Sequence, residues 1–270
     1  MAGKVLIFKV CSPLKQHSGL TGKKPAICHY SYNLPIQTIL KMELYGKISK
    51  SIPQKIVIHL IEVLILGLSY WILFRKGGVW IEQHLHIHNA TENIDRRIII
   101  FTFNIIIFFR FAYMMIVLLK RKIPWEESVS VPFAFALYFI GYPLFVLPIS
   151  AQIDGLDFFA IGLFIIGCVL NSGGEILRNE WKKKPENKGK IYTKGFFKYS
   201  RHINYFGDIL WVIAYALITK NWYSIIIPIF LFSFFAFFNA PKLDQYLKNK
   251  YGKDYDEYAE KTKMLIPFIY

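Results

Sequence analysis

The feature that constrains this chain most is a series of apolar segments, each close to the length that a helix needs to cross a bilayer. A hydrocarbon core about 30 Å thick takes about 20 helical residues. Six segments meet or approach that length: 56–74, 98–119, 129–149, 156–177, 205–218 and 222–238. The last two are separated only by Thr219-Lys220-Asn221, which predicts a tight helical hairpin. The pattern predicts an all-α, polytopic membrane helix bundle with about six transmembrane helices.

Composition and charge agree with a membrane protein. The 270 residues are 54% hydrophobic with a mean hydropathy of +0.33, which excludes an intrinsically disordered chain, and three cysteines exclude a disulfide-stapled fold. Of the 33 Lys and Arg residues, 27 lie in segments 1–55, 120–128, 178–204 and 241–270. Basic loops remain cytosolic, so both termini are predicted to be cytosolic, and the net charge of +15 reflects membrane topology before nucleic-acid binding.

The loop 75–97 is then predicted to lie on the opposite side of the membrane. It contains the glycosylation pattern Asn89-Ala90-Thr91 and three alternating histidines, His84, His86 and His88. On an extended segment these histidines would share one face and could bind a metal ion. No acidic or cysteine partner stands at ligand spacing, so we favour a solvated loop and predict no metal site.

By composition the chain divides into a basic N-terminal tail (1–54), an apolar substrate-side block (55–170) and a mixed block (171–270). The tail has no signal-peptide pattern. In the mixed block, polar residues recur at helical spacing, so that each set lies on one helix face. The first set is Asn171, Glu175, Arg178 and Lys182; the second is Asn204, Asp208, Trp211 and Tyr215.

The two stripes favour a nucleotide pocket at the cytosolic end of the bundle. Amides and carboxylates can bind ribose and carboxamide groups, while Arg and Lys hold phosphates. The simpler alternative is a local salt bridge between Glu175 and Arg178, with the lysine-rich loop 182–200 meeting only lipid headgroups.

The spacing also resembles a known family. The motifs are Asn171-x3-Glu175-x2-Arg178-x2-Trp181-Lys182, the run from Gly189 to Asp208, and the later positions Asp244, Lys250-Tyr251-Gly252, Tyr258 and Leu265-Ile266-Pro267-Phe268-Ile269-Tyr270. Together they resemble the C-terminal half of the steroid 5-alpha-reductase and sterol C14-reductase superfamily, in particular its branch of small membrane reductases. The resemblance covers about 171–270 in detail and 98–150 loosely.

The resemblance implies an NADPH-dependent reductase of carbon–carbon double bonds that takes a lipid substrate from the bilayer, in the endoplasmic reticulum if the source is eukaryotic. It implies no obligate protein partner and no nucleic acid. Residues that match its cofactor positions, or lie beside them, are Asn171, Glu175, Arg178, Lys182, Tyr192, Arg201, Asn204, Asp208 and Asp244. The steroid reductases have a histidine pair near Asp244 that this chain lacks, which argues against a strictly 3-oxo-steroid substrate.

Such a reduction needs a proton donor in a dry cavity. The resemblance implies a catalytic glutamate at the start of the third span, where Glu127 matches better than Glu126. The alternative is that this carboxylate only compensates the partial positive charge at the N-terminus of the helix. Tyr138 and Tyr142 are phenolic alternatives deeper in the span.

Two further charges lie inside predicted spans. Glu62 and Arg110 lie at similar depths, which predicts an ion pair between them, with a proton relay as the alternative.

Three other functions compete with a reductase. An S-adenosylmethionine-dependent methyltransferase of the isoprenylcysteine carboxyl methyltransferase type shares the Arg-His and Tyr-Gly motifs, but it has adjacent glutamates where this chain has Leu243-Asp244. A non-enzymatic sterol-binding protein would use the same bundle. A transporter would explain the charges within the membrane, although no inverted repeat is visible.

Overall fold

The computed structural model describes residues 49–90 and 94–270. The described residues contain eight helices, counted with their π and 3-10 segments and without isolated 3-10 turns, and no strand. These are α1 (Ile52–Phe74), α2 (Gly77–Leu85), α3 (Ile94–Leu118), α4 (Glu127–Val146), α5 (Gly155–Lys183), α6 (Ile203–Thr219), α7 (Trp222–Tyr251) and α8 (Lys253–Lys261). Residues 1–48 of the predicted basic tail lie outside the described part.

Five of these helices, α1, α3, α4, α5 and α7, are long and apolar enough to cross a membrane. They lie at five of the six predicted spans. The remaining predicted span is α6, which is apolar but only 17 residues long. It ends at Thr219, and Trp222 begins the next helix, which confirms the predicted hairpin. The chain is thus an all-α membrane bundle, while the sidedness of its termini remains a prediction.

Four of the long helices contain a five-residue π-helical segment. These segments are Met114–Leu118 in α3, Leu137–Gly141 in α4, Val169–Gly173 in α5 and Phe235–Asn239 in α7. Short π segments within α-helices are rare and frequently lie at functional sites. Two of them carry predicted site residues, Tyr138 and Asn171.

Helices α5 and α6 cross at two glycines. A Cβ atom built on Gly167 would lie 2.6 Å from the carbonyl oxygen of Gly207, and one built on Gly207 would lie 2.6 Å from the carbonyl oxygen of Gly167. Both obstacles are backbone atoms, so no side-chain rotation could relieve them. This close approach brings the polar stripes of the two helices to the same place.

The other end of the bundle is held by a buried ion pair that was not predicted. Arg96 Nη1 donates to Asp157 Oδ1 at 2.5 Å, and both side chains are fully buried. The same guanidinium donates to the backbone carbonyls of Ile218 at 2.6 Å and Gln152 at 2.8 Å. Because its charge and most of its N–H groups are satisfied, Arg96 ties α3, α5 and α6 together.

The histidine-rich segment differs from its prediction. His84 lies in α2 and not on an extended segment; its ring stacks on Trp80. His86 has a left-handed backbone, so the three histidines do not share one face. In the described part of the chain, no group of His, Cys, Asp or Glu could hold a metal ion. Asn89 is buried and accepts a hydrogen bond from Arg97 at 2.6 Å, while Thr91 of the glycosylation pattern lies outside the described residues.

Candidate cofactor site

The two predicted polar stripes meet between the C-terminal half of α5 and the start of α6. The Asn171 side-chain amide donates to the backbone carbonyl of Asn204 at 3.1 Å. Asp208, one turn further along α6, accepts a hydrogen bond from the indole of Trp211 at 2.7 Å. The stripes therefore face each other and not the lipid, as their spacing predicted.

Arg110 of α3 joins the two stripes. Its Nη1 atom donates to Asn171 Oδ1 at 2.6 Å, and its Nη2 atom lies 3.5 Å from Asp208 Oδ1. The guanidinium also lies over the ring of Trp211, 5.4 Å from its centroid. Arg110 thus holds three helices around one partly buried charge cluster.

The predicted ion pair between Glu62 and Arg110 is therefore wrong. Glu62 is fully buried and contacts Nδ1 of His59, one turn earlier in α1, at 3.0 Å. Similar depth along two helices did not distinguish Glu62 from Asp208 as the partner of Arg110. Asp208 is also a carboxylate within a predicted span, and it needs a cation as much as Glu62 does. Its presence should have indicated the correct pair.

A small basic cavity lies beside this cluster, between the end of α5, the loop before α6 and the end of α7. Its lining includes five predicted cofactor residues: Arg178, Lys182, Tyr192, Arg201 and Asn204. Three residues that were not predicted, His202, Tyr251 and Tyr258, complete its polar wall. The cavity volume is about 50 Å³, which is far below the 300–1,000 Å³ of a typical ligand pocket.

Glu175 lies outside this cavity lining. Its carboxylate pairs with Arg178, one turn further along α5, which is the local salt bridge that the simpler alternative predicts. Arg178 also lies over the ring of Phe197, with 5.5 Å between the guanidinium carbon and the ring centroid. Glu175 therefore orients Arg178 at the cavity wall.

Asp244 organises the opposite wall. It accepts hydrogen bonds from His202 Nε2 at 2.7 Å, from Arg201 Nη2 at 2.9 Å and from Tyr255. Burial, reinforced by this hydrogen bond to a carboxylate, raises the pKa of the Tyr255 hydroxyl. Tyr258 donates to the carbonyl of Phe197 at 2.5 Å, and burial raises its pKa as well. Both phenols are therefore neutral donors at physiological pH.

Two polar atoms at this wall have no hydrogen-bond partner among the described residues. They are Nε of Arg201 and Nδ1 of His202, both fully covered. Arg201 otherwise donates to Asp244 and to the carbonyls of Ala259 and Thr262, so most of its donors bind the protein itself. Part of its role is structural, which sequence spacing alone did not reveal.

Three of the four predicted proton donors are either exposed or bound to other groups of the protein. Both carboxylate oxygens of Glu127 accept hydrogen bonds from Arg121, at 2.9 and 2.6 Å, an ion pair that the sequence did not predict, and Glu126 is exposed. Tyr142 donates to the carbonyl of Val212 at 2.9 Å.

Tyr138 is different. Its ring packs edge-on against that of Trp211, with 4.9 Å between the centroids, and the Trp211 indole in turn donates to Asp208. Its hydroxyl has no hydrogen-bond partner among the described residues and is not among the fully covered polar atoms. Of the four candidates, Tyr138 alone combines an available hydroxyl with contact to the charge cluster.

Comparison with known proteins relates this site to membrane enzymes. A Delta(14)-sterol reductase of Schizosaccharomyces pombe is 35% identical over 86 residues, covering 30% of this chain and 20% of that protein. The 3-oxo-5-alpha-steroid 4-dehydrogenase 2 of Rattus norvegicus is 32% identical over 112 residues, 42% of each chain. The Protein-S-isoprenylcysteine O-methyltransferase B of Arabidopsis thaliana is 27% identical over 116 residues, 43% of this chain and 58% of that protein. The matches thus span well under two thirds of each relative.

Residues 128–262, half of the chain, match the family described as "Protein of unknown function (DUF1295)". The matched range includes Tyr138 and all nine predicted cofactor residues. The chain therefore belongs to the DUF1295 family, within the membrane superfamily that includes steroid 5-alpha-reductases, sterol reductases and isoprenylcysteine methyltransferases.

Proposed function

We propose that this protein reduces a carbon–carbon double bond of a sterol, steroid or related lipid within the membrane, with NADPH as the reductant. The observation that carries the proposal is the basic cavity directly beside the Arg110, Asn171 and Asp208 cluster. Along α5 and α6, basic side chains that suit phosphates lie next to polar side chains that suit a nicotinamide. An endoplasmic reticulum location, if the source is eukaryotic, belongs to the same proposal.

The donor set at the cavity fits the phosphate end of a dinucleotide. Arg178, Lys182 and Arg201 supply positive charge, and Asn204 supplies a neutral amide. The unpartnered Nε of Arg201 and Nδ1 of His202 are buried polar atoms that a ligand would satisfy. A whole dinucleotide exceeds the present volume, so its binding requires the loop between α5 and α6 to move outward.

The remaining groups fit the reacting end. Bound NADPH would supply a hydride, and the alkene then needs a proton on its other carbon. Tyr138 can donate that proton from its hydroxyl, because its ring packs against Trp211 beside the Arg110 and Asp208 pair. In this mechanism Glu127 holds Arg121 at the start of α4 and does not transfer the proton.

The second candidate is an S-adenosylmethionine-dependent methyltransferase. It is favoured by a specific observation, the similarity to Protein-S-isoprenylcysteine O-methyltransferase B and, at 39% identity over 85 residues, to a probable O-methyltransferase of Ustilaginoidea virens. The basic cavity argues against it, because S-adenosylmethionine has no phosphate for Arg178, Lys182 and Arg201 to bind. A sterol-binding protein without catalysis ranks third.

Calorimetric titration of the purified protein in nanodiscs distinguishes these functions. We expect NADPH to bind, and S-adenosylmethionine not to bind. Lys182→Ala and Asn204→Ala should each weaken NADPH binding by about 10- to 150-fold, since a lost charge-assisted hydrogen bond costs about 1.5–3 kcal/mol. Lys183→Ala is the matched control, because Lys183 is exposed and its one ion pair with a described residue is to Glu180. Tight binding of S-adenosylmethionine without NADPH would replace the first proposal by the second.

A further inference from the structure

The residues that follow α8 form a compact turn against the start of α6, here named the 265–270 turn. Its first residue, Leu265, is fully buried, and the backbone N–H groups of Leu265 and Ile266 donate to the main-chain oxygen of Tyr270 at 2.6 and 2.7 Å. Ser200 donates its hydroxyl to the carbonyl of Leu265 at 2.8 Å. The turn is therefore fixed to the residues immediately before α6.

The length of α6 sets the depth of this turn. Seventeen residues at 1.5 Å each give about 26 Å, which is less than the roughly 30 Å of a hydrocarbon core. The ends of α6 must then lie at the edge of the hydrocarbon and not in bulk water. Ile266 and Phe206, which is in the first turn of α6, line the same apolar groove. For α6 spanning the bilayer, we therefore expect the 265–270 turn at the boundary between acyl chains and headgroups.

The outer face of the turn is apolar. Phe268 is 77% exposed and Ile269 is 74% exposed, side by side at the tip. Phe268 has φ of 66°, a left-handed conformation that is rare for a bulky residue. Such strain persists only where neighbouring contacts impose it. Here it holds an aromatic side chain outward at the membrane boundary.

Lysines border this apolar tip. The Lys198 ammonium lies 4.7 Å from the centroid of the Tyr199 ring, which in turn lies 5.7 Å from that of Phe268. Lys263 pairs in a backbone bridge with Ser200, and both lysine side chains are exposed. Neither lysine is in an ion pair with the carboxylates of the described residues. Apolar residues flanked by unpaired cations are typical of segments that enter an anionic membrane surface.

We propose that the 265–270 turn is a membrane-inserting wedge whose partner is the anionic lipid surface of the cytosolic leaflet. Phe268 and Ile269 enter the acyl region, while Lys198 and Lys263 contact phosphate headgroups. Because the turn and the segment before it bind Ser200 and Arg201, the wedge also anchors the wall of the basic cavity to the membrane. The inference does not depend on the reaction that the protein catalyses.

Spin labelling tests the depth of the wedge. In the full chain with its three cysteines replaced by serine, a nitroxide is attached at Ile269→Cys or Phe268→Cys, and the protein is placed in bilayers of phosphatidylcholine and phosphatidylglycerol. We expect both labels to collide several-fold more with oxygen, which partitions into acyl chains, than with a water-soluble nickel chelate. The control label at Glu257→Cys, on the exposed face of α8, should show the reverse. Nickel access at 268 and 269, or access of neither reagent, would overturn the wedge.

A second experiment keeps the apolar tip unchanged. We expect the midpoint temperature of thermal unfolding of the natural protein to rise with the phosphatidylglycerol fraction. The double variant Lys198→Glu/Lys263→Glu should lose at least half of that rise. Lys188→Glu/Lys190→Glu, which makes the same charge change in the exposed loop after α5, should retain it. An equal lipid response in all three proteins, or an equal loss in both variants, would refute the headgroup contact.

Discussion

The glycine crossing of α5 and α6 yields a quantitative prediction about Gly167→Ala. The new Cβ atom would lie 2.6 Å from the Gly207 carbonyl oxygen and 2.7 Å from the Trp211 amide nitrogen, whereas ordinary contact begins at 3.4 Å. The helices must therefore separate by about 0.8 Å, because neither obstacle can rotate away. Overpacking of this kind typically costs about 1–3 kcal/mol, and rigid backbone obstacles favour the upper end.

Gly162→Ala, on the same helix, is the matched control. A Cβ atom there meets nothing within 4 Å, so the change should stabilise the protein by about 0.5–1 kcal/mol through helix propensity. Because both changes gain the same helix propensity, the two variants should differ by the overpacking cost alone, about 1–3 kcal/mol in the free energy of unfolding. Chemical unfolding in detergent micelles, followed by tryptophan fluorescence, measures this difference.

The separation should also affect the site, because α6 carries Asn204 away from Asn171, whose hydrogen bond is already 3.1 Å long. We expect Gly167→Ala to weaken NADPH binding while Gly162→Ala leaves it unchanged. Equal unfolding free energies for the two variants would refute the close crossing and, with it, the convergence of the two stripes.

Two further predictions concern the charge cluster. Arg110→Met should destabilise the protein by about 2–4 kcal/mol, because it leaves Asp208 without a cation. In a double-mutant cycle, Arg110→Met/Asp208→Asn should recover part of that loss. Full additivity of the two changes would exclude the ion pair. Tyr138→Phe should abolish turnover of an alkene substrate while NADPH affinity stays within twofold, with the exposed Tyr113→Phe as control. Retained turnover in Tyr138→Phe would remove it as the proton donor.

Periodicity predicted the features that repeat along a helix. Runs of apolar residues located the spans, and the i, i+4, i+7, i+11 spacing placed Asn171 and Asp208 on facing surfaces. This spacing is informative because a polar residue within a span must turn toward protein, whatever its neighbours are.

Pairing between distant helices was not predictable in the same way. The depth argument paired Arg110 with Glu62, whereas the three-dimensional arrangement places Asp208 beside Arg110 and His59 beside Glu62. Arg96 lies within the predicted loop 75–97, although the structure buries it fully against Asp157. His202 is preceded by a more conspicuous cation, Arg201, so its part in the cavity wall could be inferred only from its contact with Asp244.

The π-helical segment of α5 makes the site sensitive to chain length as well as to residue type. Each residue of an α-helix advances the helix face by about 100°, and a π segment absorbs one extra residue without turning what lies beyond it. Loss of a single residue such as Ser172 would convert this segment to regular α-helix and leave Arg178 and Lys182 facing the loop that carries Arg201. Loss of a residue from the regular helix between Gly174 and Arg178 would instead turn both side chains by about 100°, away from that loop. Deletions beyond the π segment should thus be far more damaging than a deletion within it.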